Sequence, residues 1–175
     1  MGIISSIIGI LATRQWSSDQ KPTSIFNVGL WISAVLSSGG AIALSYWLID
    51  DITIGLAAIL GVATMLITAA TTRHVAGINK GPVNKIAAAS HRGAALTLMT
   101  GTAFGLRSPI ISMLTIIAAI MLAFRVAGGT ILAILAVNIG TDLLIGIIMA
   151  SDAFGPIVDN AAGIAKIGKA KRKVF

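Results

Sequence analysis

Ile52-Thr-Ile-Gly-Leu-Ala-Ala-Ile-Leu-Gly-Val-Ala-Thr-Met-Leu-Ile-Thr-Ala-Ala-Thr-Thr72 carries no charged side chain. A bilayer core of about 30 Å needs about 20 helical residues, and this run is long enough. It therefore reads as a membrane-spanning helix, bounded by Asp50 and Asp51 on one side and Arg73 on the other. The same reading extends outward. Residues 26–49 form a complete span before it. Residues 93–124 and 128–163 follow, and both exceed what a bilayer requires, so they tilt or project into water. Residues 1–12 are apolar but reach only about 18 Å as a helix. No charged region precedes them and no small-residue cleavage site follows, so they do not read as a signal peptide. The expectation is a truncated span belonging to a helix that starts earlier.

Composition agrees. Of the 175 residues, 56% are hydrophobic and 11% charged, and the mean hydropathy is +0.94. Soluble domains carry about 25% charged residues. A soluble chain of this size could not hide so much apolar surface, which argues against a soluble enzyme and against disorder. The expected fold is all-α, a polytopic integral membrane helical bundle of about five spans forming one unit over residues 1–175. With no cysteine, disulfides, thiolate zinc sites and cysteine nucleophiles are excluded. The two histidines, His74 and His91, flank a basic loop and are read as solvated loop residues.

The net charge of +7 invites a nucleic-acid reading, but its location argues otherwise. Five of the thirteen basic residues (Lys166, Lys169, Lys171, Arg172 and Lys173) fall in the tail 166–175, and the rest of the chain has eight basic against six acidic residues. Basic residues beside membrane spans report topology. The first connection contains Arg14 and Lys21 against Asp19, the second Asp50 and Asp51, and the third Arg73, Lys80, Lys85 and Arg92 without an acid. The positive-inside rule then places the N-terminal end outside and the basic tail in the cytoplasm. Arg125 in the fourth connection is the exception. No nucleic-acid partner is expected.

Phosphate-loop, dinucleotide and H-E-x-x-H signatures are absent, so phosphate chemistry here would rest on carboxylates and magnesium. Gly101-Thr-Ala-Phe-Gly105 is a G-x-x-x-G within a span, which most simply serves helix packing. Arg107 and Asp142 fall inside the last two long segments, which are joined by the short connection from Arg125 to Gly128. Counted back from that connection along two antiparallel helices, their depths differ by about 6 Å. Intramembrane charges are costly alone, so an Arg107–Asp142 pair is one expectation; separate contacts with water or another helix are the other.

Ser151-Asp-Ala-Phe-Gly-Pro-Ile-Val-Asp-Asn-Ala-Ala-Gly-Ile-Ala165 is the most informative polar stretch. Asp152 and Asp159 lie two turns apart on nearly one helix face. Pro156 would leave the Asp152 carbonyl without its helical partner, favouring a kink. Asn160 adds an amide beside Asp159. Magnesium takes oxygen ligands, commonly one or two carboxylates with waters and substrate phosphates. The residues alone leave a metal site and an ordinary solvated helix end equally open.

This stretch resembles the D-A-Y-G-P-I-x-D-N-A-G-G-I-A motif of membrane-integral, ion-pumping pyrophosphatases. Residues 21–36, K-P-T-S-I-F-N-V-G-L-W-I-S-A-V-L, resemble the family's N-P-x-x-A-L-N-x-G-L-x-x-S-A-x-L. Residues 71–100 resemble its Y-T-S-x-x-x-x-P-V-x-x-I-A-x-A-S-x-T-G-x-A-T-x-I-I-x-G. The resemblance spans nearly the whole chain. It implies a bundle of about sixteen helices, of which this chain supplies a central fragment. It also implies magnesium-dependent hydrolysis of pyrophosphate coupled to pumping of protons or sodium ions, and a homodimer. Asp159 matches a metal and substrate-site carboxylate. Asn160 and Asp152 belong to the same motif, with their direct roles less firmly carried over. Neither the pumped ion nor a potassium requirement follows.

Departures from the pattern define the competing reading. Ala69 or Ala70 stands near a usual Glu, Lys85 and Ala88 occupy the E-I-A-E positions, Ala162 replaces a Gly, and Lys166 follows the motif where the family has Glu. The chain is therefore expected to be inactive alone. The alternative is a non-catalytic membrane relic or a helix-packing accessory subunit. A small independent transporter would need residues 1–12 to be a complete span.

Overall fold

The computed structural model describes residues 1–13, 22–77 and 80–168. Arg14, Asp19 and Lys21 of the first connection, and Lys169, Lys171, Arg172 and Lys173 of the tail, lie outside the described residues. Among the described residues there are eight helices and no strand: α1 (Gly2–Thr13), α2 (Pro22–Ile49), α3 (Ile52–Ala76), α4 (Gly81–Ser90), α5 (Ala94–Arg107), α6 (Pro109–Val126), α7 (Ile131–Asp142) and α8 (Ile145–Ile167). Four helical stretches are long and apolar enough to cross a membrane: Ser24–Ile49, Ile52–Ser90, Ala94–Val126 and Ile131–Ile167. The shorter α1 is apolar as well. The chain is an all-α integral membrane protein.

Two long segments are interrupted where the sequence reading had each as one helix. The first break is at Ser108-Pro109. Pro109 cannot donate to the Gly105 carbonyl. The Ser108 hydroxyl donates to it instead, at 2.9 Å. The second break, at Leu143-Leu144, contains neither proline nor glycine. Pro156, where a kink was expected, lies within α8, which is continuous from Ile145 to Ile167.

The chain divides into two compact units: Met1–Ser37 with Leu143–Phe175, and Ser38–Asp142. In the second unit α3 is central and packs on α6 and α7. Its core combines Ile54, Ala57 and Ala58 with Ala119, Ala123, Ala133, Ala136 and Val137. Alanine dominates because lipid is as apolar as a helix surface, so close backbone approach drives association. The closest approach is Gly61 against Gly140. A Cβ on Gly61 would collide with the Val137 carbonyl oxygen and lie 2.8 Å from Gly140 Cα. One on Gly140 would collide with the Ala58 carbonyl and lie 3.0 Å from Gly61 Cα. By contrast, nothing lies within 4 Å of a Cβ at Gly101 or Gly105. The expected G-x-x-x-G is not used in packing among the described residues.

In the first unit, α1 meets α2 and α8 through small residues. A Cβ on Gly9 would lie 2.7 Å from the Gly29 carbonyl oxygen, and one on Gly146 would lie 2.8 Å from Ser6 Cβ. Hydroxyls reinforce the α1–α2 contact. Ser33 donates to the Ser5 carbonyl at 3.1 Å. Ser5 donates to the Gly2 carbonyl at 3.0 Å. The Ser5 and Ser37 hydroxyls are 2.5 Å apart, and since a hydroxyl has one proton, Ser37 donates to Ser5.

The α2–α3 turn is built by polar residues. Asp50 adopts a positive φ of 56°, a conformation Asp tolerates better than most residues. Asp51 caps α3: its carboxylate accepts from the Thr53 amide at 2.8 Å and the Thr53 hydroxyl at 2.6 Å. The Ser45 hydroxyl donates to the Asp51 carbonyl and accepts from the Gly55 amide. The Thr53 hydroxyl, then its amide, hold the Asp51 carboxyl below its ordinary pKa of 3.8. A folded-state pKa that is depressed adds stability fully present above the unfolded value and lost as pH falls through the folded one. Asp51→Ala is therefore expected to lower thermal stability at neutral pH, with Asn restoring part of it. The difference between Asp51→Ala and the native chain should shrink below about pH 4. A melting difference that does not change between neutral and acid pH would refute this assignment.

Candidate functional site

The polar half of α8 carries the sequence-predicted site residues. Ile147 is the buried residue of this helix, whereas every residue from Asp152 to Ile164 is exposed. Asp152 and Asp159 share a face and are separated by a rise of about 10 Å. Gly155, Gly163 and Lys166 fall on the same face by the 3.6-residue period. Nothing lies within 4 Å of a Cβ at either glycine, so this face is open among the described residues. Asn160 sits beside Asp159. The structure thus brings Asp152, Asp159 and Asn160 onto one open surface.

This surface is not a closed metal centre. Among the described residues, no three His, Asp or Glu side chains converge to hold an ion. Two carboxylates about 10 Å apart cannot share a magnesium ion whose ligands lie at about 2.0–2.1 Å. Asp159 with Asn160 does fit one corner of a magnesium-phosphate site, where one or two carboxylates suffice because phosphate and water fill the other positions.

Arg107 and Asp142 are placed apart. Ser108 and Pro109 line a shallow groove with Thr71, Thr72, Val75 and Ala76, so Arg107 is level with the end of α3. Asp142 follows Gly140, which touches Gly61 in the middle of α3. The two levels are about 15 Å apart along that helix. Both side chains are exposed, and no ion pair joins them among the described residues. The count along the sequence set them about 6 Å apart in depth; it could not include the α3–α7 contact, which fixes the level of Asp142 near Gly61. Beyond the end of α3, α5 packs on α4. There Lys85 lies over the Phe104 ring, 5.8 Å from its centroid. The α3–α7 contact itself went unread, although Ala57-x-x-x-Gly61 and Ala136-x-x-x-Gly140 carry the small-residue spacing that marks it.

Fold and site define an all-α membrane bundle with exposed carboxylates on the last helix, and sequence comparison narrows the class. The profile of the family described as Inorganic H+ pyrophosphatase matches residues 1–175. The "K(+)-insensitive pyrophosphate-energized proton pump" of Caldanaerobacter subterraneus is 31% identical over 99% of this chain and 27% of its own length. The protein of that same name from Streptomyces avermitilis is 32% identical over 95% of this chain and 24% of its own length. The "Pyrophosphate-energized proton pump 2" of Mycoplana dimorpha is 31% identical over 94% of this chain and 84% of its own length. The chain belongs to the Inorganic H+ pyrophosphatase family. It spans about a quarter of the length of the first two relatives.

Proposed function

We propose that this chain forms a segment of a pyrophosphate-energised ion pump, in which magnesium-dependent hydrolysis of pyrophosphate drives protons or sodium ions across a membrane. The observation that carries the reading is the exposed Asp159-Asn160 pair on the open face of α8, within the D-A-F-G-P-I-V-D-N stretch. Asp159 would hold magnesium and, through it, pyrophosphate; Asn160 would orient a phosphate oxygen or water. Asp152 would act one site further along the face. Bound magnesium would neutralise phosphate oxygens and polarise water. The remaining ligands would come from helices beyond these residues, in a pump that pairs as a homodimer. The acid-poor, basic end at Arg73–Arg92 would face the cytoplasm, with the N-terminal end outside. Single cysteines at residues 50 and 91 test this directly, because the native chain has none.

Two measurements test the function. Vesicles containing this chain alone are expected to release no phosphate from magnesium pyrophosphate; clear turnover contradicts the reading. A chimera of the Caldanaerobacter pump carrying residues 151–165 of this chain is expected to keep magnesium-dependent phosphate release. Complete loss in a folded chimera favours a second reading, a non-catalytic helix-packing subunit, which the Lys85 and Lys166 departures also favour.

A further inference from the structure

Helix α7 has two faces. Ala133, Ala136, Val137 and Gly140 are buried. Leu132, Leu135, Asn138, Ile139 and Asp142 are exposed and occupy one side at about 100° per residue. The leucines and the isoleucine suit lipid or a neighbouring helix, and Asn138 is neutral; Asp142 is the misfit. Its depth is fixed by packing. Gly140 abuts Gly61, the middle of the uncharged run 52–72, about 15 Å from either end. Asp142 lies only about 3 Å further along α7. A charged side chain at that depth is rare and needs a partner or a water-filled cavity.

Nothing in its own unit serves it among the described residues. The Thr141 hydroxyl turns away and donates to the Asn138 carbonyl at 2.6 Å. Arg73, His74, Lys80, Lys85 and Arg92 lie at or beyond the end of α3, Arg107 is level with that end, and Arg125 is in the last turn of α6. Asp142 also terminates α7, where the carbonyl end of the helix dipole disfavours an anion and welcomes a cation. Carboxylate and dipole therefore point to the same ligand chemistry.

We propose that the exposed face of α7 docks a membrane-spanning helix that carries an arginine or lysine at mid-depth. The Leu132, Leu135 and Ile139 stripe supplies the packing surface. Asp142 accepts from the basic side chain, and Asn138, one turn earlier, adds an amide. The pair would be desolvated on both sides, so it selects a partner by charge position and not by apolar area, which every membrane helix offers. This proposal stands whether or not α8 handles pyrophosphate.

The test uses the full chain in lipid vesicles, labelled at one introduced cysteine. The probes are two synthetic transmembrane peptides, one of leucine throughout and one with a single central arginine, both carrying an energy-transfer acceptor. The arginine peptide is expected to associate roughly tenfold more tightly than the leucine peptide. In Asp142→Asn and Asp142→Leu the two peptides should become equivalent. Equal association with the native chain overturns the proposal, as does a preference that survives in both variants. Energy transfer between two copies of the chain that Arg107→Gln abolishes would identify a second copy as the occupant and overturn it too. Melting of each variant alone supplies an independent check. With Asp142 unpartnered, neither variant should melt below the native chain, and a large drop would mean the carboxylate serves the chain's own fold, which overturns the proposal.

Discussion

Gly61→Val and Gly140→Val are each expected to destabilise the Ser38–Asp142 unit by about 3 kcal/mol or more, at the upper end of overpacking costs. The magnitude follows from what the added atoms meet. A Cβ at either position runs into a backbone carbonyl of the facing helix, and backbone cannot rotate away as a side chain can. The helices must separate, and the alanine contacts of α3 with α7 are lost together because they depend on the same close approach. Even Gly61→Ala should be costly, although alanine is the better helix former by about 1 kcal/mol. Thermal unfolding in detergent micelles or nanodiscs would measure it. A variant that melts with the native chain would show that the Gly61–Gly140 contact is not formed.

Asp159→Asn is expected to lower magnesium-dependent phosphate release in the residue 151–165 chimera by roughly a hundredfold or more, the scale of removing one preorganised charge-stabilising group. Asn keeps the shape and one oxygen but discards the charge that a hard cation needs. Asp152→Asn should cost less, because it lies two turns away on the same face and cannot reach the same ion. The ratio of the two effects is the informative quantity. Equal losses would mean that the face acts as a diffuse negative surface with no ligand at Asp159. A larger loss at Asp152 would move the metal site by two turns.

The membrane class was legible in the sequence because hydropathy is a property of runs, and the uncharged stretch 52–72 needs no partner to declare itself. The Asp152–Asp159 alignment was legible for a related reason, since both residues belong to one helix and 3.6-residue geometry suffices. What the sequence concealed was relational. Arg107 and Asp142 look close in depth when counted along the sequence. Packing of α7 on α3 sets Asp142 near Gly61, whereas Arg107 sits level with the end of α3. Pro109 marks the α5–α6 break, yet Pro156 stands inside an unbroken α8, so proline alone does not decide. Leu143-Leu144 gives no local sign at all. Glycine spacing misled in the same way. Gly101 and Gly105 have the familiar motif but face open space among the described residues, whereas Gly61 finds its partner, Gly140, on a helix far along the chain.

The uncrowded glycines also bear on how the chain could be improved as a laboratory reagent. Gly101, Gly105, Gly155 and Gly163 lie inside helices with open space where a methyl would go. Alanine at each should add roughly 0.5–1 kcal/mol of helix stability, with no clash among the described residues. A fourfold alanine variant would then be a sturdier scaffold for spectroscopy than the native sequence. The native chain leaves that stability unclaimed at these four sites and at Gly39 of α2, while at Gly61 and Gly140 the same substitution is sterically forbidden.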